Sequence, residues 1–208
     1  MASVSRINGF RPVKSVTGAP YNGQANVYFV PSSDSSVIMV GDAVKLLGDA
    51  RAATGVPTVT RVSAGTDIPV GIVVGILFSG VGDAQNIPPV TDLNTPVYRR
   101  ASTDRYLLVA DDPQLIYEVQ YEGTSVAAAT ITANVGLNGN FLTTAGSTTS
   151  GSSGMQLATA GLATTATLPL KIVGFPNRPD NVPGDTYFSY WVKLNSSTMA
   201  SGTGSAGV

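Results

Sequence analysis

The run Pro69-Val70-Gly71-Ile72-Val73-Val74-Gly75-Ile76-Leu77-Phe78 limits the fold more than any other stretch of this chain. It is apolar and β-branched, and it falls far short of the ~20 apolar residues that a membrane-spanning helix needs. Val70, Ile72, Val74, Ile76 and Phe78 share one parity, while Gly71, Val73, Gly75 and Leu77 share the other. Period-two spacing of this kind predicts a buried strand. The two glycines predict that a neighbouring backbone or a bulky side chain comes close on the opposite face. The same grammar fills residues 37–47, where Val37-Ile38-Met39-Val40 is broken by Gly41-Asp42 and resumes as Ala43-Val44-Lys45-Leu46-Leu47. Residues 37–78 therefore organise a β protein.

The rest of the chain continues the pattern. Val27-Tyr28-Phe29-Val30 ends at Pro31, and Val56, Thr58, Thr60 and Val62 alternate through another strand, with Pro57 placing it at an edge or a strand start. Residues 106–110 form a strand turned by Asp111-Asp112-Pro113. Then Leu115, Tyr117, Val119 and Tyr121 alternate with Ile116, Glu118, Gln120 and Glu122, one face buried and one wet, as in an antiparallel sheet with a solvated side. Residues 168–175 and 187–194 are the last strands, the final one with Phe188, Tyr190, Val192 and Leu194 on one face. Residues 126–133, rich in Ala and Thr, are expected as a strand rather than a short helix. Residues 143–154, almost all Ser, Thr and Gly, lack apolar groups to pack and are expected to be mobile or ordered by a partner. A loose echo of turn-plus-strand grammar between residues 41–73 and 136–174 has no regular spacing behind it and does not establish a repeat. The expected fold is all-β, an antiparallel sandwich or barrel of jelly-roll type. A single domain over 27–194, with a sub-boundary near 79–95, follows an N-terminal arm (1–26) and precedes a C-terminal tail (195–208).

Composition removes most chemistry from this scaffold. There is no Cys and no His, so thiolate metal sites, disulfides and the usual general base of Ser or Cys hydrolases are absent. The 12 basic and 13 acidic side chains nearly cancel, which disfavours nucleic acid and anionic membrane as partners. The residues 1–6 lack the basic start and apolar core of a secretory signal, so synthesis in the cytoplasm is expected. Glu118 and Glu122 share a strand face, but their α-carbons would lie roughly 13 Å apart at about 3.3 Å per residue. Paired glycosidase carboxyl groups sit about 5–9.5 Å apart. Asp111-Asp112-Pro113 has no calcium-loop spacing, and no glycine run has the context of a phosphate cradle. No catalytic, cofactor-binding or metal-ligating residue is expected.

Two surfaces remain as candidates. Arg6, Phe10, Arg11 and Lys14 mix cations with an aromatic in an extended, proline-punctuated segment, either a partner-binding arm or a strand leading into the sheet. A convincing basic patch would need about half of the twelve Lys and Arg residues, and only Arg6, Arg11 and Lys14 lie here. Tyr187, Trp191 and Lys193, on the less apolar face of the last strand, are a candidate oligomer interface or sugar-stacking platform.

Arg6-Ile7-Asn8-Gly9-Phe10-Arg11-Pro12-Val13, Gly23-Gln24-Ala25-Asn26, Val40-Gly41-Asp42-Ala43-Val44-Lys45-Leu46, Pro69-Val70-Gly71-Ile72-Val73-Val74-Gly75, Lys171-Ile172-Val173-Gly174-Phe175 and Arg178-Pro179-Asp180-Asn181 resemble small virion proteins of tailed bacteriophages. The chain is similar in particular to cement or decoration proteins of the icosahedral head, and the resemblance is spread over most of its length. It implies a non-enzymatic, homo-oligomeric β module, dimeric or trimeric, on the outer capsid surface. Its partners would be neighbouring major capsid protein subunits, with no direct nucleic-acid binding and no membrane. The alternative is a tail, fibre or receptor-binding module that recognises cell-surface glycan.

Overall fold

The computed structural model describes residues 4–77, 96–122, 126–200 and 204–208. Within them the strands are β1 (Arg11–Ser15), β2 (Asn26–Val30), β3 (Ile38–Met39), β4 (Ala43–Ala50), β5 (Pro57–Arg61), β6 (Gly71–Leu77), β7 (Tyr98–Arg99), β8 (Arg105–Ala110) and β9 (Leu115–Gln120). After helix α1 (Ala128–Ala133) come β10 (Asn138–Gly139), β11 (Phe141–Leu142), β12 (Gln156–Leu157), β13 (Leu170–Gly174) and β14 (Ser189–Leu194). The all-β class holds. Its arrangement is a closed barrel, β2-β5-β4-β6-β8, beside an open five-stranded sheet, β1-β9-β14-β13-β10, so that of the expected sandwich or barrel it is the barrel that forms.

The barrel is filled by its own side chains. Val30, Val44, Val59, Val70, Val73, Leu107 and Val109 are fully buried in its interior, each contributing about 1.5–3 kcal/mol on leaving water. The glycines of β6 act as their spacing predicts. A side chain at Gly71 would collide with the carbonyl of Ala110 on β8, and Gly75 lies against the Leu108 side chain. The expected single parity of β6 does not persist, because a bulge between Val73 and Gly75 re-aims the strand. Val70, Val73 and Ile76 face the barrel core, while Ile72 and Val74 join a second core with Ala43, Val62 and Ala110. Phe78 and the boundary expected near 79–95 lie outside the described residues.

That second core fuses barrel and sheet. Tyr117, Val119, Ile172, Tyr190 and Val192 form the inner face of the sheet and pack with Phe10, Phe141, Phe188, Met155 and Leu157. The barrel is thus an excursion of the chain between two neighbouring strands of the sheet, β1 and β9, which pair antiparallel with Arg11 opposite Glu118.

Four expectations are corrected here. Of the expected arm 1–26, the described residues 4–26 are not free: Phe10 is 1% exposed and stacks edge-on against Phe141 at 5.2 Å, its amide donates to Gly41, and β1 is built into the sheet, the strand alternative for this segment. Phe10 is therefore a core residue and no contact residue. The outer edge of β1 is covered by its own return, with Tyr21 donating to Val13, Ser15 donating to Ala19, and a bridge between Lys14 and Pro20. The expected tail 195–208 is not loose in its described residues, 195–200 and 204–208. Asn195, Ser196 and Ser197 are buried, the Asn195 amide donates to the carbonyls of Ala166 and Leu168, and the Thr198 amide donates to Pro69.

The Ser/Thr/Gly stretch 143–154 is also folded. Ser147 and Ser152 pair across a tight turn, and Ser153 is buried with its hydroxyl donating to Asp42 at 2.6 Å. Asp42, itself buried, also accepts from the Met39 amide and from Arg61, whose Nη2 reaches the Thr144 carbonyl. The fourth correction is α1, where a strand was expected. Its Ile131 is buried, and the Tyr190 hydroxyl donates to the Ile131 carbonyl, so one sheet contact holds a segment of mixed propensity in helix.

Candidate functional site

The register of the sheet brings the two candidate surfaces onto one face. Arg11 on β1 stands opposite Glu118 on β9, Glu118 opposite Trp191 on β14, and Trp191 opposite Gly174 on β13. The adjacent row reads Lys14, Ile116, Lys193, Lys171 in the same strand order. Inner-face residues alternate with these, so Lys14, Arg11, Trp191 and Lys193 all project on the side away from the core. Residues that are distant in sequence are cross-strand neighbours here. Tyr117 and Val192, which lie between the two rows, are fully buried on the opposite side.

Each strand contributes for a local reason. A bulge in β1 between Pro12 and Lys14 lets both Arg11 and Lys14 face outward. A second bulge in β13 between Ile172 and Gly174 sets a glycine beside Trp191. A Cβ added at Gly174 would lie 3.7 Å from the indole Cε3, so the indole is seated close over that strand. Lys14 then covers the ring, its Nζ 4.1 Å from the ring centroid, a cation–π contact of about 0.5–1 kcal/mol. Ile116, between Lys14 and Lys193 in the register, is only 7% exposed on this outward face, and lysine stems flanking an apolar side chain account for its burial.

Two further cations arrive from outside the strands. The chain before β1 runs across the end of β9, where the Arg6 amide donates to the Gln120 side chain at 2.8 Å and Gln120 is buried. Between β13 and β14, Asn181 fixes the connecting turn by donating to the Pro176 and Ser189 carbonyls and accepting from the Ser189 amide. The turn 178–181, with Pro179 at its second position, closes by the Asn181 amide donating to the Arg178 carbonyl. Arg178 makes a bidentate pair with Glu118 at 2.7 and 3.2 Å, and its Nε lies 3.3 Å from Asp180. Arg6 reaches Asp180 at 3.1 Å. Tyr187, at φ 63°, lines the same end of the face.

The face therefore holds Arg6, Arg11, Lys14, Lys171, Arg178 and Lys193, half of the twelve basic residues, against two acids, Glu118 and Asp180. The other six cations face eleven acidic residues in the remainder of the chain. A molecule whose net charge is −1 thus carries a face of +4. Arg6, Arg11, Lys14, Tyr187, Trp191 and Lys193 were legible as candidates, but Lys171 and Arg178 were not recognised with them. The outward parity of Lys171, beside Ile172, was the available signal.

Enzymatic alternatives find little here. Glu118 is held by Arg178, and Glu122 accepts from the amide and hydroxyl of Thr159 at 3.0 and 2.7 Å. Those two hydrogen bonds hold the Glu122 carboxyl below the usual carboxylate range, the opposite of what a general acid requires. Asp111 accepts from Asn26 and from the Tyr28 hydroxyl, closing one end of the barrel. Among the described residues no three acidic side chains gather as a metal site, and no helix is long and apolar enough to cross a membrane. No protein-family model, no curated protein and no solved structure matches this chain.

Proposed function

We propose that the chain is a non-enzymatic virion structural protein, a cement or decoration protein of a tailed-phage head. In this reading it is made in the host cytoplasm and docks as a homo-oligomer on the outer capsid surface, where it bridges major capsid protein subunits through the basic sheet face. The observation that carries the reading is the concentration of half the cations on one face of a protein otherwise poor in charge, four of them on the strands of the sheet and two on the segments beside it. Strands hold such side chains in fixed register, so the pattern is preorganised for an acidic protein surface. Repetition on a symmetric shell multiplies a modest single-site affinity. Nucleic acid suits the molecule less well, because the acidic remainder repels a long polyanion.

The rival reading, glycan recognition by a tail or fibre module, needs an open aromatic face. Trp191 offers little of one, with Lys14 over its ring and β13 beneath its edge. The test is co-sedimentation with empty expanded heads of the same phage that lack this protein. Wild type should bind saturably and lose roughly tenfold or more in affinity as salt rises severalfold, as expected for a charged interface. Lys14→Glu with Lys193→Glu should abolish binding while the protein stays folded, its melting temperature falling only by the few degrees expected from the lost Lys14–Trp191 contact. Unaltered binding by the double variant would sink the assignment of this face. Deleting residues 1–26 is a poorer test, because it removes an edge strand and Phe10 from the core.

A further inference from the structure

One end of the basic face is shaped as well as charged. The chain leading into β1 and the 178–189 connection enclose a groove of about 180 Å³ lined by Arg6, Arg11, Glu118, Arg178, Asp180 and Tyr187. Its donors outnumber its acceptors. Each of the three guanidinium groups carries five N–H bonds. Arg178 directs two nitrogens at Glu118 and one at Asp180, and Arg6 spends one nitrogen on Asp180. The side chain of Arg11, exposed and opposite Glu118 in the register, makes no hydrogen bond or ion pair among the described residues, and Glu118 is already engaged by Arg178. Tyr187 adds a phenol from a left-handed backbone conformation that is uncommon for a tyrosine and recurs at ligand-holding positions.

Folding accounts for only part of this arrangement. The bidentate Arg178–Glu118 pair, with Glu118 21% exposed, adds to stability, but the Arg6–Asp180 pair, 68% and 41% exposed, contributes little and Arg11 contributes no pair at all. What the frame does achieve is orientation, since Arg178 and Asp180 are tied to a turn that Asn181 locks. We propose that the groove is a carboxylate-recognition site that seats an acidic side chain of a partner protein. Arg11 is the principal binding residue, Arg6 and Tyr187 are further donors, and the Glu118–Arg178–Asp180 chain is the positioning frame. This deepens the docking reading above and rests on it for the identity of the occupant.

The chemistry favours a carboxylate over a phosphate. A planar guanidinium fork matches a carboxylate in two parallel hydrogen bonds, the geometry that Arg178 and Glu118 display in the groove itself. Glu118 and Asp180 leave the lining at +1. That charge suits a monoanion, whereas a phosphate dianion would meet two carboxylates at close range.

The test uses the full chain, ¹⁵N-labelled, titrated separately with an N-acetylated hexaglutamate amide, a hexalysine amide and inorganic phosphate. Hexaglutamate should give saturable shifts concentrated at the amides of Arg11, Glu118, Gln120, Tyr187 and Ser189, and hexalysine should give none. Arg11→Gln should weaken hexaglutamate about tenfold, the scale of one charge-assisted contact. Arg11→Lys should recover only part of that loss, and the remote Arg100→Gln should change nothing. The proposal is overturned by an absence of saturable shifts, by shifts spread over all basic residues, by phosphate binding as well as hexaglutamate at equal concentration, or by full rescue with Arg11→Lys. Head binding separates the two readings. If hexaglutamate occupies the groove but heads ignore the protein, the carboxylate site stands and the cement reading falls. If heads bind wild type and Arg11→Gln alike while hexaglutamate fails, the cement reading stands and the site falls.

Discussion

Arg99 is fully buried, and its guanidinium ends on main-chain carbonyls rather than in a cleft. Nε donates to Thr103, Nη1 to Ser36, and Nη2 to Pro31 and Asp34, with the Asp34 carboxylate 3.9 Å away. One side chain thus satisfies the backbone of two loops, 31–36 between β2 and β3 and 100–103 after β7. Burial draws its pKa down, and the charges of Asp34 and Asp104 work against that. Arg99→Met should cost about 3–5 kcal/mol in urea unfolding, because four carbonyls lose their donor inside the protein. Arg99→Lys should recover little, lacking the fork. In sequence Arg99-Arg100 reads as a local positive pair at a strand edge. The structure splits it into a buried staple and an exposed side chain, a distinction set by loops 31–36 and 100–103 and invisible in the dipeptide. Gly71 is the opposite case, where period-two spacing announced a close neighbour and the Ala110 carbonyl supplies it.

The carboxylates set the response to pH at this same scale. Burial would raise the pKa of Asp67, but hydrogen bonds from Lys45 and from the amides of Ala64 and Ser63 outweigh it and lower the folded value. Glu122 is lowered by Thr159. A carboxyl group depressed in the folded state contributes stability that is present above its unfolded pKa and lost as pH falls through the folded one. The melting temperature should therefore stay nearly level across pH 5 to 8, where no imidazole titrates, and drop below about pH 4. Asp67→Asn should flatten part of that acid limb; an unchanged limb would contradict the assignment.

At the level of elements, alternation was legible and its interruptions were not. The outward and inward sets of β9 and β14 read directly from period two. The bulges in β1, β6 and β13 did not, because Pro12, Gly75 and Gly174, where they fall, permit a bulge without specifying one. The 143–154 stretch shows why composition misled. Its serines and glycines cannot build a core, but Asp42 and Arg61, far away in sequence, satisfy its polar groups instead. Asp42→Ala should release it, with the folded protein becoming cleavable there by a low-specificity protease that leaves wild type intact. Equal resistance of both proteins would show that the loop is held by something else. The helix α1 was missed for a related reason, since the Tyr190 hydroxyl that holds it belongs to the last strand.

At the scale of the molecule, the described residues after β14 are structural. The Asn195 side chain bridges to residues 166 and 168 and accepts from Ser205, and Lys171 reaches Ser205 and the Ala206 carbonyl. Truncation after Leu194 should lower the melting temperature by several degrees, as expected for a loss of a few hydrogen bonds and of packed residues in a chain of this size, and calorimetry would measure it. The candidate face was half legible. Its aromatic and N-terminal members stood out, but their union did not, because the whole barrel separates β1 from β9 in sequence and only the register joins them.

The covered edge of β1 has a further consequence. A sheet grows when a strand offers unpaired amides and carbonyls, and here the chain's own return occupies that row while the far edge, β10, is only two residues long. Strand addition is closed at one margin and has almost no length at the other. Among the described residues, this sheet therefore offers a neighbour its side chains rather than a free strand edge. Its contacts can then be retuned one residue at a time without disturbing the hydrogen-bonded frame. Neighbouring copies meeting at this sheet are likewise denied an edge on which to template a further strand.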